Sequence, residues 1–313
     1  MQSASNTIVV LGTGGTIAGT AATAGDDINY AAAQIPVTDL VAGVPALAGL
    51  PLECEQVVQI DSKDMSFEVW TTLAHRVAHH LARSDVAGIV IVHGTDTLEE
   101  TAYFLQRLLA PAKPVVMCGA MRPATATQPD GPPNLLDAMT VASHVGAAGV
   151  VAVMAGEIHS ALDIRKTHTT RVHAFSSGDP GPLGWVEDGR VRMARPWPQG
   201  HALGIERLGA ASRWPRVEII VSHAGADGRM IAALVEQGVD GIVVAGTGNG
   251  TLHGALESEL ARAQAAGVAV LRSTRVGGGT VQPRSDDVLP SAGALTPVQA
   301  RIELLLLRLV PGE

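Results

Sequence analysis

Three hydroxyl side chains stand just beyond short apolar runs of this chain: Thr16 after Thr7 to Leu11, Ser62 after Val57 to Ile60, and Thr95 after Gly88 to Val92. A hydroxyl is a weak nucleophile until a neighbour takes its proton. Asp96 adjoins Thr95, and among the lysines Lys63 and Lys166 flank polar motifs, whereas Lys113 precedes a proline at a strand start and is expected in solvent. A hydroxyl, an aspartate and a lysine kept neutral by burial or a cationic neighbour form a proton-transfer set suited to acyl transfer. The glycine-rich run Gly12 to Gly19 adds backbone N–H donors that can approach a developing oxyanion. The same Thr and Ser residues are good helix caps, and on pattern alone both readings stand.

These residues need elements that bring them together. Gly88-Ile-Val-Ile-Val-His-Gly-Thr-Asp-Thr-Leu98 is a β-branched run that breaks into polar residues and then, with Glu99 and Glu100, into a helical pattern. That is a buried parallel strand turning into a helix, and open α/β sheets place ligands at such strand ends. Similar runs at Pro114 to Cys118, Gly149 to Met154, Val217 to Val221, Gly241 to Ala245 and Val268 to Leu271 alternate with helical patterns. The expected fold is therefore α/β, a larger doubly wound, mostly parallel sheet followed by a smaller α/β domain. Pro196, Pro198 and Pro215 mark a linker, giving domains at 1–195 and 216–313 joined by 196–215. A hairpin is expected at Glu187 to Arg190, between Val186 and Val191. The loop Thr20 to Gln34, which carries Tyr30, is long for a βα connection and reads as a lid or a disordered segment. Gly241 to Leu252 faintly echoes Gly88 to Leu98, as two related α/β units do.

Composition narrows the function. Hydrophobic residues reach 46% and aromatics only 3%, so the core is built from Val, Ile, Leu and Ala. A net charge of −8 without a basic tract argues against nucleic acid and anionic membranes and for a small-molecule partner. No run is long enough to span a bilayer, and the polar start, Met1 to Thr7, carries no leader pattern. Cys54 and Cys118 read as reduced core residues, which with the absent leader gives a cytoplasmic expectation, or a periplasmic one if a leader was removed. His75 and His79 have the i, i+4 spacing of a metal pair but lack a third ligand, so with His80 they read as a solvated helix face. The dinucleotide fingerprint, the P-loop and the Gly-x-Ser-x-Gly elbow are absent.

Thr13-Gly-Gly-Thr-Ile-Ala-Gly19 and His93-Gly-Thr-Asp-Thr-Leu-Glu-Glu-Thr-Ala-Tyr-Phe104 closely resemble the two signature motifs of the bacterial-type L-asparaginase and glutaminase-asparaginase family. Asp61-Ser-Lys-Asp-Met65, Gly119-Ala-Met-Arg-Pro123, Asp130-Gly-Pro132 with Asn134, Arg165-Lys-Thr-His-Thr-Thr170 and Ala245-Gly-Thr-Gly-Asn-Gly250 extend the resemblance over nearly the whole chain. It implies hydrolysis of L-asparagine to L-aspartate and ammonia by a threonine nucleophile, without metal or organic cofactor, in a homotetramer built as a dimer of dimers. Carried over by position, Thr16 resembles the nucleophile with Tyr30 beside it, and Thr95, Asp96 and Lys166 resemble the second, proton-relaying triad. Ser62 corresponds to the holder of the substrate α-carboxylate and Asp96 to that of the α-ammonium, with backbone near Gly15, Thr95 and Ala120 completing the pocket. Asn249 matches a residue the family supplies from the adjacent subunit, so the resemblance implies a site at a dimer interface. Relatives preferring glutamine, D-asparagine or another short amide, and a non-catalytic amino-acid sensor, are the competing readings.

Two positions depart from the family pattern. Lys63 stands where Gln or Glu is usual beside the substrate ammonium; pointing inward, it would repel that charge, raise the asparagine KM and penalise succinamic acid less than usual. Alignment on Asp286 and Asp287 places Arg284 where members often carry a glutamate.

Overall fold

In a computed structural model of the chain, the described residues are 7–23, 25–26, 28–210 and 213–309. The polar start at 1–6, on which the leader expectation rests, lies outside them, as do residues 24 and 27 of the expected lid and 211 and 212 of the expected linker. The chain divides between Ile205 and Glu206 into two compact units.

The first unit is built on strands β1 (Thr7–Gly14), β4 (Leu52–Ile60), β5 (Val86–Val92), β6 (Pro114–Cys118) and β7 (Gly149–Met154), with the short pair β2 (Thr20–Ala21) and β3 (Tyr30–Ala31) between the first two. Strands β8 (Glu157–Ser160), β11 (Gly184–Glu187) and β12 (Arg190–Met193) extend its sheet, and β9 (Arg165–Lys166) and β10 (Phe175–Ser176) form a separate antiparallel pair. The eight-stranded order is β12-β11-β8-β7-β6-β5-β1-β4. From β4 to β7 every pairing is parallel; from β7 onward it is antiparallel. The expected hairpin closes with Val186 opposite Val191, and Asp188 and Gly189 both have positive φ, the backbone that a two-residue turn between twisted strands needs.

Helices α1 (Val37–Ala42), α2 (Phe67–Leu81), α3 (Leu98–Leu109) and α4 (Gly131–Ala142) cover this sheet. Val10, Val90, Val92, Val116, Val151 and Val153 form one apolar cluster with Val37 of α1 and Leu135, Ala138 and Met139 of α4. The alternate residues Val9, Leu11, Ile89, Ile91, Val115 and Met117 are equally buried, as strands covered on both faces require. Each such side chain contributes about 1.5–3 kcal/mol by leaving water. On α2 and α3, Trp70 stacks on Phe104 at 5.0 Å and donates its indole N–H to Thr101 Oγ1 at 2.9 Å.

Two expectations at the edge of this unit change. His80 is buried rather than solvated, because its Nε2 meets Glu55 Oε2 at 2.8 Å in a cluster with Arg76 and Arg83, whereas His75 and His79 are exposed. Lys113 is not free in solvent: its ammonium takes the carbonyls of Leu81 and Arg83 at the C-terminal end of α2, where a cation is favoured.

The second unit carries α5 (Glu206–Ala210), β13 (Val217–Val221), α6 (Arg229–Glu236), β14 (Gly241–Gly246), α7 (Gly254–Ala265), β15 (Ala269–Thr274) and α8 (Pro297–Arg308). Its three strands pair in parallel with β14 central. α8 starts with a full capping box, Thr296 and Gln299 satisfying each other's backbone N–H groups behind Pro297. The stretch around 206–210, expected as plain linker, is helical, and Arg207 reaches the last carbonyls of α8 at Leu306 and Leu309. No helix among the described residues is long and apolar enough to cross a membrane.

The adjacent parallel strands β4, β1 and β5 bring three polar corners to one edge, and close backbone approach sets their spacing. Gly15 has φ +86°, and a Cβ there would overlap the backbone of Gly94; a Cβ on Gly94 would lie 2.5 Å from Ser62 Oγ. Replacing Gly94 by Ala is therefore expected to destabilise the first unit by about 1–3 kcal/mol, read as a lowered midpoint in thermal or urea unfolding.

Candidate active site

Each corner is shaped by its own local chemistry. β1 ends at Gly14 and β4 at Ile60, and single 3₁₀ turns, Thr16–Ala18 and Ser62–Asp64, follow. β5 ends at Val92, and α3 begins only at Leu98, which leaves Gly94 to Thr97 as an irregular corner. Thr13 Oγ1 donates to the Val92 carbonyl at 3.0 Å, tying the first corner to the third. The Asp96 N–H donates to Ser62 Oγ at 3.2 Å and Thr97 Oγ1 donates to the Ser62 carbonyl at 2.9 Å, tying the second to the third. Thr97, at the N-cap of α3, makes no side-chain cap bond, and the turn at Ser62 is capped by Asp61 rather than by a hydroxyl.

The first cluster is Thr16 and Tyr30. Thr16 is buried, and its hydroxyl lies 2.8 Å from the Tyr30 hydroxyl. Among the described residues of the lid that carries Tyr30, Thr20–Ala21 pairs with Tyr30–Ala31. The Ala33 N–H bonds the Gly15 carbonyl at 3.0 Å and the Ala21 N–H bonds Thr125 Oγ1 at 2.9 Å, fastening the lid on two sides. Gly19 makes room for the ring: a Cβ there would lie 2.8 Å from Tyr30 Cδ2.

The second cluster is Thr95, Asp96 and Lys166. The Lys166 ammonium donates to Thr95 Oγ1 at 3.0 Å and to Asp96 Oδ1 at 2.6 Å, a charge-assisted contact. Thr95 is buried, the Lys166 side chain is 19% exposed and Asp96 is 54% exposed, so the triad runs from the interior to an open carboxylate. With Lys166 as donor, the Thr95 hydroxyl keeps its own proton to give elsewhere. His93, fully buried beside them, donates Nδ1–H to the Gly94 carbonyl at 2.7 Å; burial lowers its pKa to about 4, so it is neutral at physiological pH.

A third group shapes the wall beside these clusters. Gly119 and Ala120 follow β6, and a Cβ on Gly119 would lie 2.5 Å from the His93 carbonyl oxygen. The buried Asp130 carboxylate accepts the N–H groups of Met121 and Arg122, each at 2.9 Å, and Asn134 donates to the Gly119 carbonyl at 2.9 Å. The peptides on both sides of Ala120 are thus held from the start of α4. The sequence offered Asp130 and Asn134 only as parts of a motif, and their bracing role appears once α4 is placed.

The sites expected from sequence divide into those brought together and those not. Thr16 with Tyr30, Thr95 with Asp96 and Lys166, Ser62 with the Asp96 backbone, and Gly15 against Gly94 all converge. Lys63 does not join them by its side chain: the ammonium is bound by Asp61 Oδ2 at 2.9 Å and Asp64 Oδ2 at 3.1 Å, and 61% of the side chain is exposed. Two carboxylates on its own turn hold the ammonium outward, away from the direction in which it would repel a substrate ammonium. Asn249 lies in the second unit, its amide bridging both backbone groups of Gln282. Arg284 is engaged by Asp287, which also holds the buried Arg272. Among the described residues no group of three His, Cys, Asp or Glu side chains is placed to hold a metal, and both cysteines are free thiols.

A parallel-sheet edge carrying two hydroxyl-centred clusters invites comparison with known proteins. The family model for the asparaginase N-terminal region matches residues 7–199, and the glutaminase/asparaginase C-terminal domain model matches residues 216–308. The chain belongs to the asparaginase family. It is 41% identical to L-asparaginase 2 of Escherichia coli over 96% of this chain and 88% of that protein. To the glutaminase-asparaginase of Pseudomonas fluorescens biotype A it is 39% identical over 87% of this chain and 76% of that protein. The crystal structure of a probable cytoplasmic L-asparaginase from Campylobacter jejuni superposes with a TM-score of 0.90 at 38% identity, covering 96% of this chain and 94% of that one. As in that structure, this asparaginase-family chain joins a large, mostly parallel sheet to a smaller parallel-sheet domain.

Glu99, read from sequence only as part of a helix start, is a further member of the neighbourhood. Its carboxylate accepts the Lys166 main-chain N–H at 2.8 Å, and burial, the dominant influence, raises its pKa to about 7. Between about pH 4.5 and pH 7 the folded protein retains a proton that the unfolded chain releases, so stability from this residue falls as pH rises through that window. Glu99→Gln, neutral throughout, is expected to match the parent at pH 4 and to exceed it by up to about 3 kcal/mol at pH 8 in urea unfolding. Lys63→Gln is expected to change the asparagine KM by less than about two-fold in steady-state kinetics, since uniform binding changes only when a contacting group is altered.

Proposed function

We propose that this chain is an L-asparaginase, hydrolysing the side-chain amide of L-asparagine to L-aspartate and ammonia. The observation that carries this reading is the buried Thr16 hydroxyl held 2.8 Å from the Tyr30 hydroxyl, on a glycine corner packed against the one that bears Thr95 and Asp96. Thr16 Oγ attacks the amide carbon and passes its proton toward Tyr30; the tetrahedral oxyanion is met by backbone groups near Gly15, Thr95 and Ala120. Collapse breaks the C–N bond as Tyr30, taking the Thr16 proton, hands its own to the nitrogen; ammonia leaves and a β-aspartyl ester remains on Thr16. Lys166 gives a proton to Asp96 and, as an amine, takes the Thr95 proton while Thr95 takes one from the attacking water; the hydroxide cleaves the ester C–O bond and the proton returns to Thr16 Oγ, restoring its hydroxyl.

The zwitterionic substrate is recognised by complementary partners: Ser62 for the α-carboxylate and Asp96, the exposed end of the triad, for the α-ammonium. The lid bearing Tyr30 excludes water from the first step. The chain uses no metal or organic cofactor in this reading. It works as a homotetramer, a dimer of dimers, in which Asn249 of a neighbouring copy completes the pocket. The two free thiols favour a reducing, cytoplasmic compartment. Glutamine is the second substrate to test, because several relatives carry the glutaminase-asparaginase name.

Ammonia release from L-asparagine, D-asparagine and L-glutamine decides among these substrates, and tight asparagine binding without turnover would make the chain a sensor instead. Thr16→Ala is expected to lower kcat by about 10³-fold or more while still binding asparagine. Asp96→Asn and Asp96→Glu are both expected to raise KM and lower kcat; near-normal kinetics for either would refute the double role of Asp96.

A further inference from the structure

Lys166 reaches the second cluster from an insecure base. It sits on a strand of two residues, Arg165–Lys166, paired only with Phe175–Ser176 and separate from the eight-stranded sheet. Its long side chain has freedom at every carbon, yet its ammonium must meet two acceptors at once. Something has to hold the backbone from which it extends.

The five residues Thr95 to Glu99 do this from one short segment. Thr95 and Asp96 take the Lys166 ammonium, and Glu99, one residue into α3, takes the Lys166 main-chain N–H at 2.8 Å. Both ends of the lysine are therefore gripped from five consecutive residues, two in the corner before α3 and one in its first turn. We propose that Glu99 is a positioning residue for the proton relay: by accepting the Lys166 amide, it holds the lysine in register with Thr95 and Asp96. This rests on the asparaginase reading above and adds a residue that touches neither substrate nor reacting atoms.

The surroundings argue against simple packing as the reason for a carboxylate here. An acid in the first turn of a helix is ordinarily favoured by the helix dipole while it stays in water. Glu99 is instead turned into the protein, where burial, with the Glu100 charge beside it, opposes its ionisation more than Arg165 and Lys166 favour it. An apolar side chain of the same size would cost less. An acid retained at such cost in contact with a working lysine is explained by the hydrogen bond it accepts.

Two substitutions separate acceptance from packing. Glu99→Gln keeps a carbonyl oxygen that can accept the Lys166 N–H; Glu99→Met fills similar space without a comparable acceptor. In ammonia release from L-asparagine, Glu99→Gln is expected to keep kcat within about three-fold of the parent, whereas Glu99→Met loses about ten-fold or more in kcat without a matching rise in KM. Hydrogen exchange of the segment containing Lys166, followed in the same proteins, reads the clasp without turnover: protection is expected to persist in Glu99→Gln and to drop in Glu99→Met. Equal kcat in the two variants, or equal protection, overturns the proposal. A parent that releases no ammonia, or releases it independently of Thr16, defeats the asparaginase reading instead, and the exchange comparison then decides the clasp by itself.

Discussion

The site depends on the close approach of two backbones, Gly15 and Gly94, at the carboxyl edge of a parallel sheet. Parallel strands place their ends on one side, and β4, β1 and β5 are neighbours, so Ser62, Thr16 and Thr95 emerge within one region. Neighbouring strands lie roughly 4.8 Å apart, a separation that side chains on adjacent corners can span. A Cβ at Gly15 or Gly94 would force the corners apart, and with them the hydroxyl of Thr16 and the triad of Thr95. The buried strands beneath supply the rigidity that makes such close tolerances hold.

Given that scaffold, polar groups are distributed by cost. The interior groups, Thr16, Thr95 and Ser62, are neutral hydroxyls with at least one partner each. The charged groups lie further out, with Asp96 open to solvent and Lys166 bridging inward from it. The arrangement keeps an ion pair near the surface, where desolvation is small, yet lets the ammonium reach a buried hydroxyl. Two carboxylates are exceptions: the buried Asp130, which accepts two main-chain N–H groups, and Glu99, whose ionisation is opposed by burial and which is attached to the lysine's own backbone.

Much of this was legible in residue order. Strand ends after Ile60 and Val92, the helix after Thr97 and the hairpin around Asp188 and Gly189 follow from β-branched runs and turn residues, whereas the first strand runs past Leu11 to Gly14. The two signature motifs contain Thr16 and Thr95, so residue order alone marks both hydroxyls. Single side chains are where the structure decides: His80, taken as solvated, is drawn in by Glu55, and Lys63, whose direction the sequence left open, is turned outward by Asp61 and Asp64. Each outcome hangs on partners that residue type alone does not order by strength.

The sequence by itself determined the α/β class, the family and the chemical types at the strand ends, because periodicity, turn chemistry and motif spacing are local and survive without coordinates. Only the tertiary structure decided which of those types meet. Tyr30 reaches Thr16 through a short strand pair within its lid; Asp130 and Asn134 brace the turn at Ala120 from another helix; Lys166 crosses about 70 positions of chain to Thr95 and Asp96. Such contacts depend on distances set by the whole packed sheet, and a one-dimensional pattern carries no record of them.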